Sequence, residues 1–215
     1  MQKFFAVAVL VITSLSFHVQ VSAQASASTA RPNLTKGDTW SYRVVDNWTD
    51  KELRLFQHEF AEVSTDNLVF RFTNKANNAV STFRTDLDLN SCRAMKDSKE
   101  LSCKGPYKFP LSIGQKTSYS KQPYANGNGF NDADCSIEAV EQLTVPAGSF
   151  ETYKISCSGF WTTAVGEAYG GSFKETIWYA PSVKRFVKSY YENRSNRINR
   201  LLTRETIELI EYKVK

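Results

Sequence analysis

The sequence predicts an all-β protein, with about ten antiparallel strands in a meander forming a curved sheet, half-barrel or open barrel. Three observations lead there. Apolar and polar residues alternate with period two in run after run, as in Asp38 to Asp46 (DTWSYRVVD). Turn chemistry punctuates the runs, most clearly at Val145-Pro146-Ala147-Gly148-Ser149, where Pro presets φ and Gly accepts φ > 0. No segment reads as a capped amphipathic helix: the nearest, Arg197 to Leu209, is rich in Thr and Ile, and the chain ends in the alternating Glu-Tyr-Lys-Val-Lys.

Met1-Gln2-Lys3 carries the only early positive charge, and Phe4 to Phe17 is an uncharged run that gives way to Val21-Ser22-Ala23. This is the pattern of a secretory signal peptide, residues 1–23, cleaved after Ala23 or Ala25, and the run is too short for a spanning helix. With Lys3 removed, the formal net charge of +5 becomes about +4, which is no nucleic-acid signature. Residues 24–33 are small and polar and are expected to be a disordered lead-in. The remainder, 34–215, suits one β domain.

Asp38 to Asp46 is the first strand, with Trp40, Tyr42 and Val44 on one face. Lys51 to Val63 changes phase between Leu55 and Phe56, which suggests a bulge or bend in a long strand. Ser64 to Asn67 is a turn, Leu68 to Phe72 the return strand, and Ala79 to Cys92 the next. Lys121 to Asp134 reads as a Gly/Asn-rich loop. Ser172 to Ala180, Lys184 to Glu192 and Leu201 to Val214 are the last three strands. Leu111 to Tyr119 echoes Leu34 to Tyr42, sharing Leu, Gly, Ser and Tyr at the same offsets, and hints at a duplicated meander, 34–110 and 111–215. A shared loop-to-strand geometry would look the same.

All four cysteines, Cys92, Cys103, Cys135 and Cys157, lie beyond the signal, and export favours disulfides over a zinc site. Three pairings are open. A hairpin folded at Pro146 with facing numbers summing to 292 sets Cys135 against Cys157, Ile137 against Ile155 and Ala139 against Tyr153, so it favours Cys135–Cys157 and leaves Cys92–Cys103.

Little in the chain suggests chemistry. His58 is the one histidine outside the signal, and no Gly-x-Ser-x-Gly elbow accompanies it, so a hydrolase using His58 is the third reading and no catalytic residue is expected. Asp86 with Asp88 and Asp132 with Asp134 are i, i+2 acids, read as exposed strand residues. Asn126 to Asp134 is oxygen-rich and fails the EF-hand template. No metal or other cofactor is expected. Sequons at Asn33, Asn47 and Asn193 matter only in a glycosylating host.

Two features suggest binding. Trp40, Trp48, Trp161, Phe173, Trp178 and Tyr179 are placed to line an apolar cavity, with Gly159 to Gly171, which carries Phe160, Trp161 and Tyr169, as a flap over its mouth. Of these, Trp40, Phe160, Trp161, Tyr169 and Trp178 are the candidate contacts for an apolar small molecule or lipid. Lys184, Arg185, Arg197 and Arg200, in a basic C-terminal third, are the candidates for holding an envelope protein partner at a sheet edge.

Pro146 to Ile155 (PAGSFETYKI), Trp178 to Val183 (WYAPSV) and Phe186-Val187-Lys188 together resemble a family of exported bacterial β proteins, mostly of unknown function, in which a VPAG-T/S-F hairpin precedes a WY-x-P strand. Gly37 to Tyr42 and Phe109 to Gly114 extend the resemblance over most of the mature chain. It implies a periplasmic or secreted protein of the bacterial envelope, distantly like the half-barrels that carry lipoproteins, and it supplies no catalytic residue. Lys184-Arg185 departs from the pattern, where Gly is common, and implies a wider turn. The first reading is therefore a non-enzymatic exported protein binding an apolar or lipid-like ligand, and the alternative an envelope assembly or interaction protein.

Overall fold

A computed structural model of the protein describes residues 28–124, 127–163 and 170–215. The signal segment, residues 24–27 of the lead-in and Tyr169 lie outside the described residues. Fourteen strands are present among them: β1 (Ser28–Thr29), β2 (Thr39–Asp46), β3 (Lys51–Ser64), β4 (Asn67–Asn74), β5 (Val80–Asp86), β6 (Ser91–Ala94), β7 (Leu101–Cys103), β8 (Leu111–Ser112), β9 (Lys116–Tyr124), β10 (Gly129–Val145), β11 (Gly148–Thr163), β12 (Gly170–Ala180), β13 (Arg185–Ser195) and β14 (Arg200–Lys213). Twelve form one antiparallel sheet in the order β7-β6-β5-β4-β3-β2-β14-β13-β12-β11-β10-β9, and β1 pairs with β8 alone. The fold is all-β, a sheet curled almost into a closed barrel.

Closure at the seam, where β6 and β7 approach β9, comes from side chains rather than a ladder. Gln122 Nε2 donates to the carbonyls of Ser91 and Ser102 at 2.9 and 3.2 Å, and Ser102 Oγ donates to Gln122 Oε1. Lys104 Nζ donates to the Ser120 carbonyl at 2.6 Å. Edge groups that would otherwise invite another chain are occupied by these contacts.

The alternation read from the sequence sets the core. Trp40, Tyr42 and Val44 on β2, Ile155 and Cys157 on β11, Phe173, Ile177 and Tyr179 on β12, and Leu209 on β14 are all buried in one cluster. Cys135–Cys157 and Cys92–Cys103 are both formed, each between directly opposed residues of neighbouring strands. The hairpin register matches at Cys135↔Cys157 and Ile137↔Ile155 and then slips, because a bulge between Ile137 and Ala139 pairs Ala139 with Lys154 and Val140 with Tyr153. The extra residue keeps both the disulfide and the Val145–Gly148 turn in register with their own sides of the sheet.

Three expected loops are more ordered than their composition suggests. Ser28 and Thr29 of the lead-in pair with Ser112 and Leu111, and Arg31 pairs with Asp88 at 2.7 Å. The stretch Lys121 to Asp134 is largely strand, β9 running to Tyr124 and β10 starting at Gly129. The two described ends of the expected flap are likewise strand, with Gly159 to Thr163 in β11 and Gly170 and Gly171 in β12, while residues 164–169 lie outside the described residues. The glycines at these ends serve close approach: a Cβ at Gly171 would lie 1.9 Å from the Arg194 carbonyl and 2.6 Å from the Trp161 ring, and one at Gly159 would lie 2.1 Å from the Asp132 carbonyl.

Candidate ligand cavity

A cavity of about 370 Å³ opens inside the barrel between β5, β6, β9, β12 and β13, under the segment 104–107 that follows β7. Its wall includes Phe83, Asn90, Tyr107, Tyr119, Gln122, Tyr124, Asn131, Glu175, Ile177, Arg185, Phe186 and Ser189. Four of the five candidate contacts, Trp40, Phe160, Trp161 and Trp178, are not among them, Tyr169 lies outside the described residues, and the wall is mixed in polarity.

Each local placement has a cause. Asn90 holds Tyr107 by a two-way clamp, its Nδ2 donating to the Tyr107 carbonyl and its Oδ1 accepting from the Tyr107 N–H, both at 2.9 Å. Asp86 in turn fixes Asn90, accepting from its backbone N–H at 2.8 Å and its Nδ2 at 3.0 Å. Thus Asp86 and Asp88 serve the turn and the Arg31 pair. Asp132 and Asp134 accept from the Lys121 N–H and the Ser118 hydroxyl across β9 and β10, each at 2.6 Å.

Arg185 is only 6% exposed and lies within the barrel, where it cannot meet an outside partner. Its Nη2 donates to His58 Nδ1 at 3.2 Å, and its Cζ sits 4.5 Å from the Phe70 ring centre and 5.4 Å from that of Trp40. Nη1 is buried with no hydrogen-bond partner. Arg185 and Ser189 share a face of β13, and the shift of register between Trp178 and Tyr179 on the β12–β13 ladder sets the out-of-phase Phe186 beside them on the cavity wall. His58 is ringed by Tyr42, Phe56, Phe72 and Phe83. Burial, aided by the Arg185 charge, holds its pKa well below the usual imidazole value, so the ring is neutral and accepts from the guanidinium.

Glu175 stands on the same wall, and burial pushes its carboxyl up to about 7. The Tyr107 hydroxyl lies in the fields of both Arg185 and Glu175, and burial raises its pKa above the ordinary phenol value. Burial raises Tyr42 and Tyr119 likewise, so these phenols stay neutral hydrogen-bonding groups.

The expected contacts are scattered. Trp40 is a core residue whose Nε1 donates to the Val183 carbonyl at 2.7 Å. Trp161 is buried opposite Gly171. Trp178 donates to Glu141 Oε1 at 2.6 Å and lies beneath Lys188. Phe160 is 63% exposed in a hollow of about 610 Å³ with Asp132, Lys174, Glu192 and Arg194, open to solvent and walled by ordinary surface charges. Lys184 is tied to the buried Asp38 at 3.1 Å and to the Lys215 carbonyl at 2.7 Å. The turn at Pro181–Val183 ends with Lys184 at φ 62°, the conformation for which Gly is common, and here a lysine is kept by its ion pair. Arg197 and Arg200 are exposed around the β13–β14 turn, near Trp48, Ile198 and Leu202.

The sequence pattern carries a signal that points to the cavity: Glu175 sits in phase with the buried Phe173 and Ile177, a charge where an apolar residue belongs. Arg185 carries the same kind of signal, a charge in phase with the buried Val187 and Ser189 on β13.

No family model matches the sequence, and the curated proteins contain no sequence match. The fold is similar to that of a solved Bacteroides fragilis protein described as exported and as having a YmcC-like fold, 17% identical, with a TM-score of 0.51 over 87% of this chain and all of that one. It is similar also to a protein of Parabacteroides distasonis described as a lipoprotein, 16% identical, with a TM-score of 0.50 over the same shares. At these identities the likeness is one of fold.

Proposed function

We propose that this is an exported binding protein that holds a small polar molecule inside its barrel and does not transform it. The observation that carries the reading is the pair Arg185 and Glu175: two ionisable groups on one cavity wall, the first buried and the second half-buried, with no ion pair to either among the described residues. A fold that sinks charges in this way usually does so for a site, because the same space filled with apolar side chains is as stable or more so. Export is supported by the two disulfides and by the descriptions of the two structural neighbours.

A lipid cargo, the reading the aromatic content suggested, is disfavoured because hydrocarbon would strip water from both charges and replace it with nothing. Hydrolysis at His58 is disfavoured because Nδ1 already accepts from Arg185 and the ring is packed among aromatics. The assembly reading keeps one supporting observation, the exposed Trp48, Ile198 and Leu202 beside Arg200.

The test is native mass spectrometry of the mature protein purified from its export compartment, with solvent extraction and analysis of what is released. A discrete adduct in the wild type, absent from a folded Ser189→Leu variant whose side chain fills the cavity, is the expected result. An adduct that survives Ser189→Leu, or a clean apo mass with Trp48→Ala and Arg200→Glu abolishing capture of an envelope partner, overturns it in favour of another surface.

A further inference from the structure

Glu175 and Arg185 face one cavity but do not meet. On the β12–β13 ladder Arg185 opposes Ala180, while Glu175 lies five residues back along β12 and opposes Tyr191. Their Cα atoms are therefore roughly 16 Å apart at the rise of an extended strand, and the side chains leave a gap between guanidinium and carboxyl. No carboxylate lies within 4 Å of Arg185 among the described residues, and no hydrogen bond to the Glu175 carboxyl is found among them. Tyr107, clamped by Asn90, lies within electrostatic reach of both. The Trp40, Phe70 and Phe186 rings attract the Arg185 cation but offer Nη1 no acceptor.

The missing partners are an acceptor for a guanidinium and a donor for a carboxylate, separated by a short apolar and hydroxyl-lined span. We propose that the cavity binds a small zwitterion of the amino-acid or dipeptide class, its carboxylate paired with Arg185 and its ammonium with Glu175. A purely anionic ligand leaves Glu175 facing like charge, and an uncharged one leaves both groups unpaired. Planar, bidentate recognition of a carboxylate suits arginine. Ser189, Gln122 and Asn131 on the same wall are of a kind to bond a peptide or side-chain group between the two ends. This inference rests on the cavity being the binding site.

Calorimetry on the mature protein, dialysed free of small molecules, tests it with four probe types: L-alanine, L-alanyl-L-alanine, the N-acetylated form of each and the C-amidated form of each. One zwitterion is expected to bind, and blocking either end to weaken it by at least about ten-fold, since each blocked end leaves a buried charge unpaired. Glu175→Gln is expected to weaken the zwitterion while leaving the N-acetyl form unchanged, and near-UV circular dichroism confirms that the variant is folded. Arg185→Lys is expected to weaken the zwitterion and leave the amide unchanged. If the blocked forms bind as well as the zwitterion, or if an extracted ligand lost in Ser189→Leu carries no amine or no carboxylate, the zwitterion is wrong while the cavity remains a binding site. If no probe binds and no adduct is found, both readings fall.

Discussion

Asp38 and Lys184 show how single residues hold this barrel together. The fully buried Asp38 carboxylate accepts from the Thr35 N–H at 2.9 Å, the Lys215 N–H at 3.0 Å and Lys184 Nζ at 3.1 Å, so one side chain joins the start of β2, the chain end and the β12–β13 turn. Asp38→Ala is expected to cost about 3–5 kcal/mol in chemical denaturation, the range for breaking a buried charge pair. Lys184→Gly relieves a left-handed backbone but strands Asp38, and is expected to destabilise despite matching the commoner turn residue. His58 and Glu175 give stability opposite dependences on pH. The depressed His58 pKa contributes stability that is present above the usual imidazole value of 6.5 and is lost as pH falls toward the folded value. The raised Glu175 pKa means the folded state holds its proton more tightly, so its contribution is full below about 4.5 and is lost as pH rises through about 7, with an upper bound on the order of 3 kcal/mol. The two oppose each other between 4.5 and 6.5. Urea titrations at pH 5 and pH 8 are expected to show Glu175→Gln erasing the loss on the alkaline side, leaving stability that only rises with pH.

At the scale of elements, close packing and local backbone geometry explain what alternation alone does not. The echo between Leu34–Tyr42 and Leu111–Tyr119 corresponds to one turn used twice. Gly37 and Gly114 have φ of 88° and 81°, and their N–H groups donate to Phe60 and Ile137 on the next strand. The residues after them, Asp38 and Gln115, receive the N–H groups of the same Phe60 and Ile137. Of the four shared identities, the glycine at positive φ is the one this turn requires. Gly159, Gly170 and Gly171, by contrast, read as parts of a flap and sit where strands crowd, because glycine signals freedom and crowding alike in one dimension. Gly171→Ala is expected to destabilise by about 1–3 kcal/mol by thermal unfolding, since its Cβ collides with backbone and indole together. The cysteine pairing was readable from the hairpin, whereas the bulge beyond Ile137 was not, since a one-residue insertion leaves the alternation of each half intact.

For the whole molecule, fold and site differ in how far composition reaches. Period-two patterning and turns such as Pro146 to Gly148 were sufficient for a curved antiparallel sheet, because every strand repeats the same signal. The cavity of the proposed site is built by a clamp from Asn90 and the seam at Gln122, both of which join residues distant in the chain. Counting aromatics selects positions such as Trp40 in the core and Phe160 on the surface, whereas the proposed site rests on Glu175, which has no aromatic signal, and on Arg185, named in the sequence only for a partner at a sheet edge. Because the sheet closes through the Gln122 side chain, Gln122→Ala is expected to speed exchange of the β9 amides by at least about ten-fold in hydrogen-exchange experiments, while amides of the β10–β11 hairpin keep their protection. The most direct test of the binding account is a crystal structure of the mature protein taken straight from its export compartment. Density for a small molecule bridging Arg185 and Glu175 within hydrogen-bond distance of both is the predicted result. A barrel whose interior holds only water, or in which Arg185 and Glu175 have closed into an ion pair with each other, would contradict it.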